Sequence, residues 1–199
     1  MAVDKLIELA EKYSRWMAWA GGSMVLASAL LIAAEVFLRK ILNISIGGAD
    51  ELSGYALGVS VTWAMSFTLM HRANIRIDAL YHSLPPRLCA LLDILSLAAL
   101  GAFVGLITTY AATVVSDTYT YSSTANTPLQ TPLIIPQGLW LFGFIVFLLI
   151  LSLLLLRGCI ALIRGDLSTI NKICGVRTVE EDIDEEVSDD IRELINNRS

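Results

Sequence analysis

Four carboxylates lie inside, beside or between long apolar segments, and their type and position make them this chain's candidates for transport chemistry. They are Glu35, Glu51, Asp78 and Asp93. A charge in hydrocarbon is costly, so such a residue is by default a candidate proton or cation site. An antiporter needs an ionisable group near the bilayer midplane, whereas all four lie toward segment ends. The pattern therefore argues against an antiporter.

The spacing of these carboxylates indicates structural roles instead. Glu35 and Arg39 are one helical turn apart, which predicts an i,i+4 ion pair at the membrane interface. Asp50 and Glu51 open the second apolar segment, where acidic residues complement a helix N-terminus. A small exporter that works alone through Glu35 is the less favoured alternative.

Histidines and cysteines give no sign of a cofactor. His71 and His82 fall in one connector, so they cannot supply facing axial ligands to a haem in a helix bundle. Cys89, Cys159 and Cys174 form no C-x-x-C pair, and a cytoplasmic location predicts reduced thiols. We expect no catalytic residue, metal ligand or cofactor in this chain, and no enzymatic activity.

The elements that carry these residues are apolar and long. Of 199 residues, 55% are hydrophobic and 17% are charged, which excludes a soluble globular enzyme. Four windows contain no charge, and each reaches the length of a transmembrane helix candidate. The sequence predicts an all-α integral membrane protein whose four transmembrane helices lie at about 16–38, 51–70, 88–115 and 136–157.

The distribution of Lys and Arg predicts the topology. Ten basic residues flank the ends that would lie in the cytoplasm, and two lie on the other side. Positive charge marks cytoplasmic connectors, so both termini are expected inside. The ten are Lys5, Lys12, Arg15, Arg72, Arg76, Arg87, Arg157, Arg164, Lys172 and Arg177, and the two are Arg39 and Lys40.

The segments outside the four-helix domain, 16–160, have distinct patterns. Residues 1–15 predict an amphipathic helix that lies at the inner interface or runs into the first span. A second short interfacial helix is expected before Pro85. The connector 117–132 is rich in Ser, Thr and Pro and predicts an extended, polyproline-like chain without a helix. The tail 161–199 is acidic from 178, with nine acidic and two basic residues from there on.

Small residues at helical spacing indicate where helices pack. In a membrane, close backbone approach and hydrogen bonds drive helix association. Such a pattern suits either the chain's own bundle or a seam with another subunit, and the sequence leaves both open. The candidate packing residues are Gly54, Gly58, Ser60, Gly101 and Gly105.

Three short motifs carry a resemblance to a known family. Glu51 opens the second span, and the stretch Asn74–Asp78 is followed by Leu84, Pro85 and Arg87. The run TPLIIPQGLW places Pro136 at the start of the fourth span. With the four-span layout, these features resemble the small membrane subunit (DctQ family) of tripartite ATP-independent periplasmic (TRAP) transporters. The matching residues are Glu51, Asp78, Pro85, Arg87 and Pro136, and the chain departs from the family at Asn74, where His is usual.

The resemblance implies a function. Such transporters import organic acids with a coupled cation, usually sodium, and the substrate and ion sites lie in a large polytopic permease subunit. The small subunit supports that permease and helps to receive a periplasmic solute-binding protein. This chain would be a multi-pass protein of a bacterial inner membrane, surrounded by lipids, with sodium bound by its partner and no nucleic acid involved. The alternative is a structural or assembly subunit of an unrelated inner-membrane complex.

The same resemblance predicts a docking surface on the outer side. Asp50, Glu51 and Asp117 all fall there by the predicted topology. Charges at the rim of an interface tune encounter rate and specificity. We therefore expect these three carboxylates to help dock the binding protein.

Overall fold

Four long helices make up the part of the chain that the computed structural model describes, residues 2–72 and 84–166. The helices are α1 (Ala2–Ile41), α2 (Ala49–Met70), α3 (Pro86–Thr120) and α4 (Ile134–Arg164). Within these ranges the β structure is one isolated bridge, so the all-α class is confirmed. The expected interfacial helix before Pro85, with Asp78, and the acidic tail lie outside the described residues.

Proline and glycine set several helix boundaries. Pro85 is the N-cap of α3, and Pro86 occupies its first turn, where a missing N–H costs no helical hydrogen bond. Pro136 is tolerated in the first turn of α4 for the same reason. Gly165 ends α4 with a φ of 70°, the left-handed conformation in which helices commonly stop.

Three of the helices are long and apolar enough to cross a membrane: α1, α3 and α4. Helix α2 is not among them, although its 22 residues would extend about 33 Å. The reason is its composition, since Ser, Thr and Gly recur along it and lower its hydropathy. Three of the four expected spans are therefore confirmed as apolar helices of sufficient length, and the crossing of α2 and the orientation stay predictions.

Helix α1 contains both the amphipathic stretch and the first apolar stretch expected at the N-terminus. It runs without a break through residue 15, so the amphipathic stretch and the first apolar stretch form one helix of 40 residues. Its length of about 60 Å exceeds a hydrocarbon core of about 30 Å. Of the two alternatives for 1–15, the structure contains the one in which the amphipathic helix continues into the first span.

The helices pack in the order α1, α2, α4, α3. Helix α2 lies between α1 and α4, and α4 also packs along α3. The main core forms around α4, whose Phe147, Ile150 and Leu151 are buried with Val104 of α3 and Met17 of α1. Because α4 has neighbours on both sides, it carries the largest buried share of the three apolar helices.

Three glycines allow these helices to approach closely. A Cβ on Gly143 of α4 would overlap Thr62 of α2, at 2.7 Å from its Cβ. A Cβ on Gly21 of α1 would lie 3.2 Å from the carbonyl oxygen of Ser60. One on Gly101 of α3 would lie 2.8 Å from Leu151. Small residues at these positions therefore fix how near α1, α2 and α3 come to their neighbours.

The hydroxyl groups of α2 bond mainly to their own helix. Ser60, Thr62 and Thr68 each donate to a backbone carbonyl three or four residues earlier, at 2.5, 2.9 and 2.8 Å. The hydrogen bond between helices comes instead from Trp63, whose Nε1 donates to the carbonyl oxygen of Leu139 at 3.0 Å. This contact is possible because α2 and α4 approach closely at Gly143.

We predict that Gly143→Ala destabilises the protein, whereas Gly105→Ala does not. The added methyl group at 143 meets Thr62 and Trp63, and overpacking of this kind costs roughly 1–3 kcal/mol. Nothing lies within 4 Å of a Cβ on Gly105 in the described structure. Alanine there should instead stabilise the helix by about 1 kcal/mol or less, because its helix propensity is higher than that of glycine. Thermal unfolding in detergent measures both, and equal melting temperatures would contradict the close approach of α2 and α4.

Candidate functional site: the connector face and an open groove

The two connectors at the end of the bundle that the charge pattern places outside form one surface. We call residues 42–48 and 121–133, together with the first turn of α2, the connector face. All three carboxylates predicted for docking lie on or beside it, as do Glu35 and Arg39. The geometry of these groups decides which charges are available to a partner.

Glu35 holds the first connector. Its carboxylate accepts hydrogen bonds from Ser45 Oγ at 2.7 Å and from the backbone N–H of Ile46 at 2.7 Å. Arg39 Nη2 lies 2.5 Å from the same carboxylate and forms the i,i+4 ion pair. Glu35 is 5% exposed, whereas the Arg39 side chain is 64% exposed. Three donors within this chain therefore bind the buried Glu35 carboxylate.

Glu51 holds the second connector in a similar way. Thr127 and Thr131, which lie in that connector, both donate to its carboxylate. Tyr55, one turn further along α2, donates to Glu51 Oε1 at 2.9 Å. The carboxylate is thus enclosed by hydroxyl donors and is only partly exposed.

The two connectors also contact each other. Gly48 has a φ of 131°, which L side chains rarely adopt, and Leu129 packs against the position that a Cβ would occupy. A side chain at residue 48 would push Leu129 away. Glycine at this position is needed both for the backbone conformation and for the contact.

The second connector differs from the extended chain expected there. Residues up to Thr120 belong to α3, and the rest folds back on itself around a bridge between Thr124 and Pro132. Backbone N–H groups of Ala125 and Leu133 donate to Thr131 and Ser123 across this fold, at 2.9 and 3.1 Å. The proline-rich composition suggested a polyproline-like segment, but Ser and Thr side chains and this hairpin-like pairing stabilise a compact loop.

Of the three carboxylates predicted for docking, the structure leaves two accessible. Asp50 and Asp117 are exposed, on the first turn of α2 and the last turn of α3. Glu51 points into the Thr127 and Thr131 contacts and offers little charge to a partner. Exposed charges are the ones that steer encounter, so Asp50 and Asp117 are the better candidates.

A groove of about 260 Å³ lies between α2 and the start of α4 and opens to the surroundings of the chain. Gly54 and Gly58 form one wall, and the groove is largely apolar. Nothing in the described structure lies within 4 Å of a Cβ on either glycine. The remaining lining residues are Tyr55, Val59, Leu133, Pro136, Gln137 and Trp140.

The five candidate packing residues therefore separate into two groups. Ser60 and Gly101 lie at helix contacts inside this chain, whereas Gly54, Gly58 and Gly105 have open space where a Cβ would stand. For Gly54 and Gly58, the sequence left open whether the chain's own bundle or another subunit covers them. No described helix of this chain covers them, which favours the second alternative, a seam with another subunit.

The other residues singled out in the sequence lie away from this face. Asp93 is 3% exposed, near the start of α3. Pro85 and Arg87 lie at the same end, and Pro136 borders the groove. Among the residues described, no group of three or more His, Cys, Asp or Glu side chains could hold a metal ion.

Sequence reasoning missed two features of this region. The first is Trp63, whose ring lies 6.2 Å from Trp16 of α1 and from Phe142 of α4, in addition to its bond to Leu139. The second is the attachment of Thr127 to Glu51, 76 residues apart. Both are contacts between distant segments, and nothing local in the sequence signals them.

Comparison with protein families gives a match to a transporter family. The model of the family described as "Tripartite ATP-independent periplasmic transporters, DctQ component" matches residues 28–160, about two thirds of the 199 residues. No curated protein and no solved structure matches. The matched range begins within α1 and ends within α4, so it includes the groove and both connectors.

Proposed function

Because the chain belongs to the DctQ family of TRAP transporters, we propose that it supports the large permease subunit and helps to dock the periplasmic binding protein during sodium-coupled import of an organic acid. The family membership makes it a transporter subunit of the inner membrane rather than an enzyme. Its partners in such a transporter are the large permease and a periplasmic binding protein. The supporting role, the docking role, the coupling ion and the substrate class are our proposals.

The open groove carries the proposal of a supporting role. It presents two glycines and a largely apolar lining along α2, the helix least suited to face lipid. In hydrocarbon, small residues allow a neighbouring backbone to come close, and van der Waals packing between the two helices then stabilises their association. A helix of the large permease that packs along Gly54 and Gly58 would fill the groove and would also shield this side of α2 from lipid.

The geometry of Glu35 argues against a transporter that works alone. A carboxylate that carries a proton or cation across the membrane must exchange partners during the cycle. Glu35 is bound by Ser45, Ile46 and Arg39 at the end of the bundle. This arrangement supports a structural role for Glu35 and a partner role for the chain.

We predict a topology with both termini in the cytoplasm and α2 crossing the membrane. The asymmetry of Lys and Arg is the reason. A cysteine placed at Ser122 should react with a membrane-impermeant thiol reagent from the periplasm, and one at Ser188 only after the cytoplasm is opened. The experiment needs a background in which Cys89, Cys159 and Cys174 are serine. Labelling of both positions from the same side would contradict the topology.

We predict that Gly58→Leu prevents co-purification of the large permease with this chain in mild detergent. The leucine side chain fills the groove, while the subunit itself keeps its fold because nothing lies within 4 Å of that position in the described structure. Gly22→Leu is the matched control, since Gly22 is exposed on α1 and has equally open space. Normal recovery of the permease with Gly58→Leu would mean that this groove faces lipid.

We predict that Asp50→Lys together with Asp117→Lys weakens docking of the binding protein. Both side chains are exposed on or beside the connector face, and rim charges act mainly on the association rate. The association rate should fall by about tenfold at low salt, and the difference should shrink in 0.5 M salt because the Debye length is then only about 4 Å. An unchanged association rate at low salt would place the docking surface on the large subunit.

A further inference from the structure

We propose that Glu51 is a positioning residue for docking, because its carboxylate fastens the second connector to α2 and so sets the shape of the surface that the binding protein meets. This inference rests on the docking part of the proposed function. It assigns Glu51 a role different from that of its exposed neighbour Asp50. Asp50 would contribute charge, whereas Glu51 would contribute the placement of the loop.

The first observation concerns the acceptors of the hydrogen bonds that the second connector donates. The bonds of Ala125, Gln130 and Leu133 all remain inside residues 121–133 and shape the loop without attaching it to α2. In the described structure, the hydrogen bonds that join this connector to α2 both end on Glu51, from Thr127 and Thr131. Bonds to an ionised acceptor are about twice as strong as neutral ones.

The second observation is the apolar contact beside this attachment. Leu129 lies between the two threonines in sequence and packs on Gly48, immediately before α2. With a carboxylate on one side and an apolar contact on the other, the loop is held at two points. Loss of Glu51 would remove the hydrogen-bonded point and leave the apolar contact between Leu129 and Gly48 beside it.

The third observation is that the first connector has a carboxylate attachment of its own. Ser45 and Ile46 bond to Glu35, on a different helix. The connector face therefore has two separate carboxylate attachments, one for each connector. A change at one carboxylate should affect mainly its own connector, since the two connectors are linked by the contact between Leu129 and Gly48, and this difference gives the experiment an internal control.

Hydrogen–deuterium exchange tests the attachment in the intact complex of this chain and the large permease, held in lipid nanodiscs. Glu51→Ala should raise the exchange rate of the Ala125, Gln130 and Leu133 amides by about tenfold, because the loop opens more often. Exchange of Ile46 should stay unchanged. Glu35→Ala should give the reverse pattern, with fast exchange at Ile46 and an unchanged second connector.

Two further variants separate attachment from general destabilisation. Tyr55→Phe removes a donor to Glu51 that lies on α2 itself, so the connector should exchange at the wild-type rate. Glu51→Gln keeps an acceptor oxygen for one threonine and should give an intermediate rate, about threefold above wild type. If Glu51→Ala leaves the amides of 121–133 at the wild-type rate, or if Tyr55→Phe accelerates them equally, the attachment by Glu51 is wrong.

Binding of the transporter's own periplasmic binding protein to the same nanodiscs tests the consequence. Glu51→Ala should weaken the affinity by about three- to tenfold at low salt and at 0.5 M salt alike, because loop placement is not screened. Glu51→Gln should recover part of the loss. An effect that disappears at high salt would mean that Glu51 acts as a surface charge and would overturn the positioning role. Fast loop exchange with unchanged affinity would overturn the docking part of the proposed function and leave the attachment itself standing.

Discussion

Helix α2 can lie in an apolar bundle because most of its polar side chains have hydrogen-bond partners within the chain, with the buried Ser66 hydroxyl as an exception among the described residues. The hydroxyl groups of Ser60, Thr62 and Thr68 donate hydrogen bonds to backbone carbonyls of the same helix. The Trp63 indole donates to a backbone carbonyl of α4. Burial of an unpaired polar group in hydrocarbon costs roughly 2–7 kcal/mol. The polar composition of α2 fits its position between α1 and α4, where it contacts protein on two sides.

The close approach of α2 to its neighbours has a consequence on its free side. Because Gly143 and Gly21 have no side chains, α4 and α1 pack closely against two sides of α2. The side with Gly54 and Gly58 stays open as a groove. A helix whose hydropathy is lowered by Ser, Thr and Gly and that carries an open, small-residue face is suited to pack on another protein. In a family of multi-subunit transporters, that protein is the large permease in our proposal.

The sequence predicted the helical elements well and their contacts poorly. Charge-free windows and flanking prolines locate four helices because hydrophobic length and the lost N–H of proline are local properties. Glu35 and Arg39 are one turn apart, so their pair can also be read locally. The attachment of Thr127 in the second connector to Glu51, by contrast, joins segments 76 residues apart. Such a contact depends on how α4 packs between α2 and α3, which no local pattern contains.

In our proposal this chain is an accessory subunit that a larger permease requires. Its most direct test is uptake of a labelled ligand of the binding protein into proteoliposomes under a sodium gradient, with the large permease present and this chain present or absent. We expect rapid uptake only when this chain, the permease and the binding protein are all present. Equal uptake without this chain, or uptake by this chain in the absence of the permease, would contradict the accessory role.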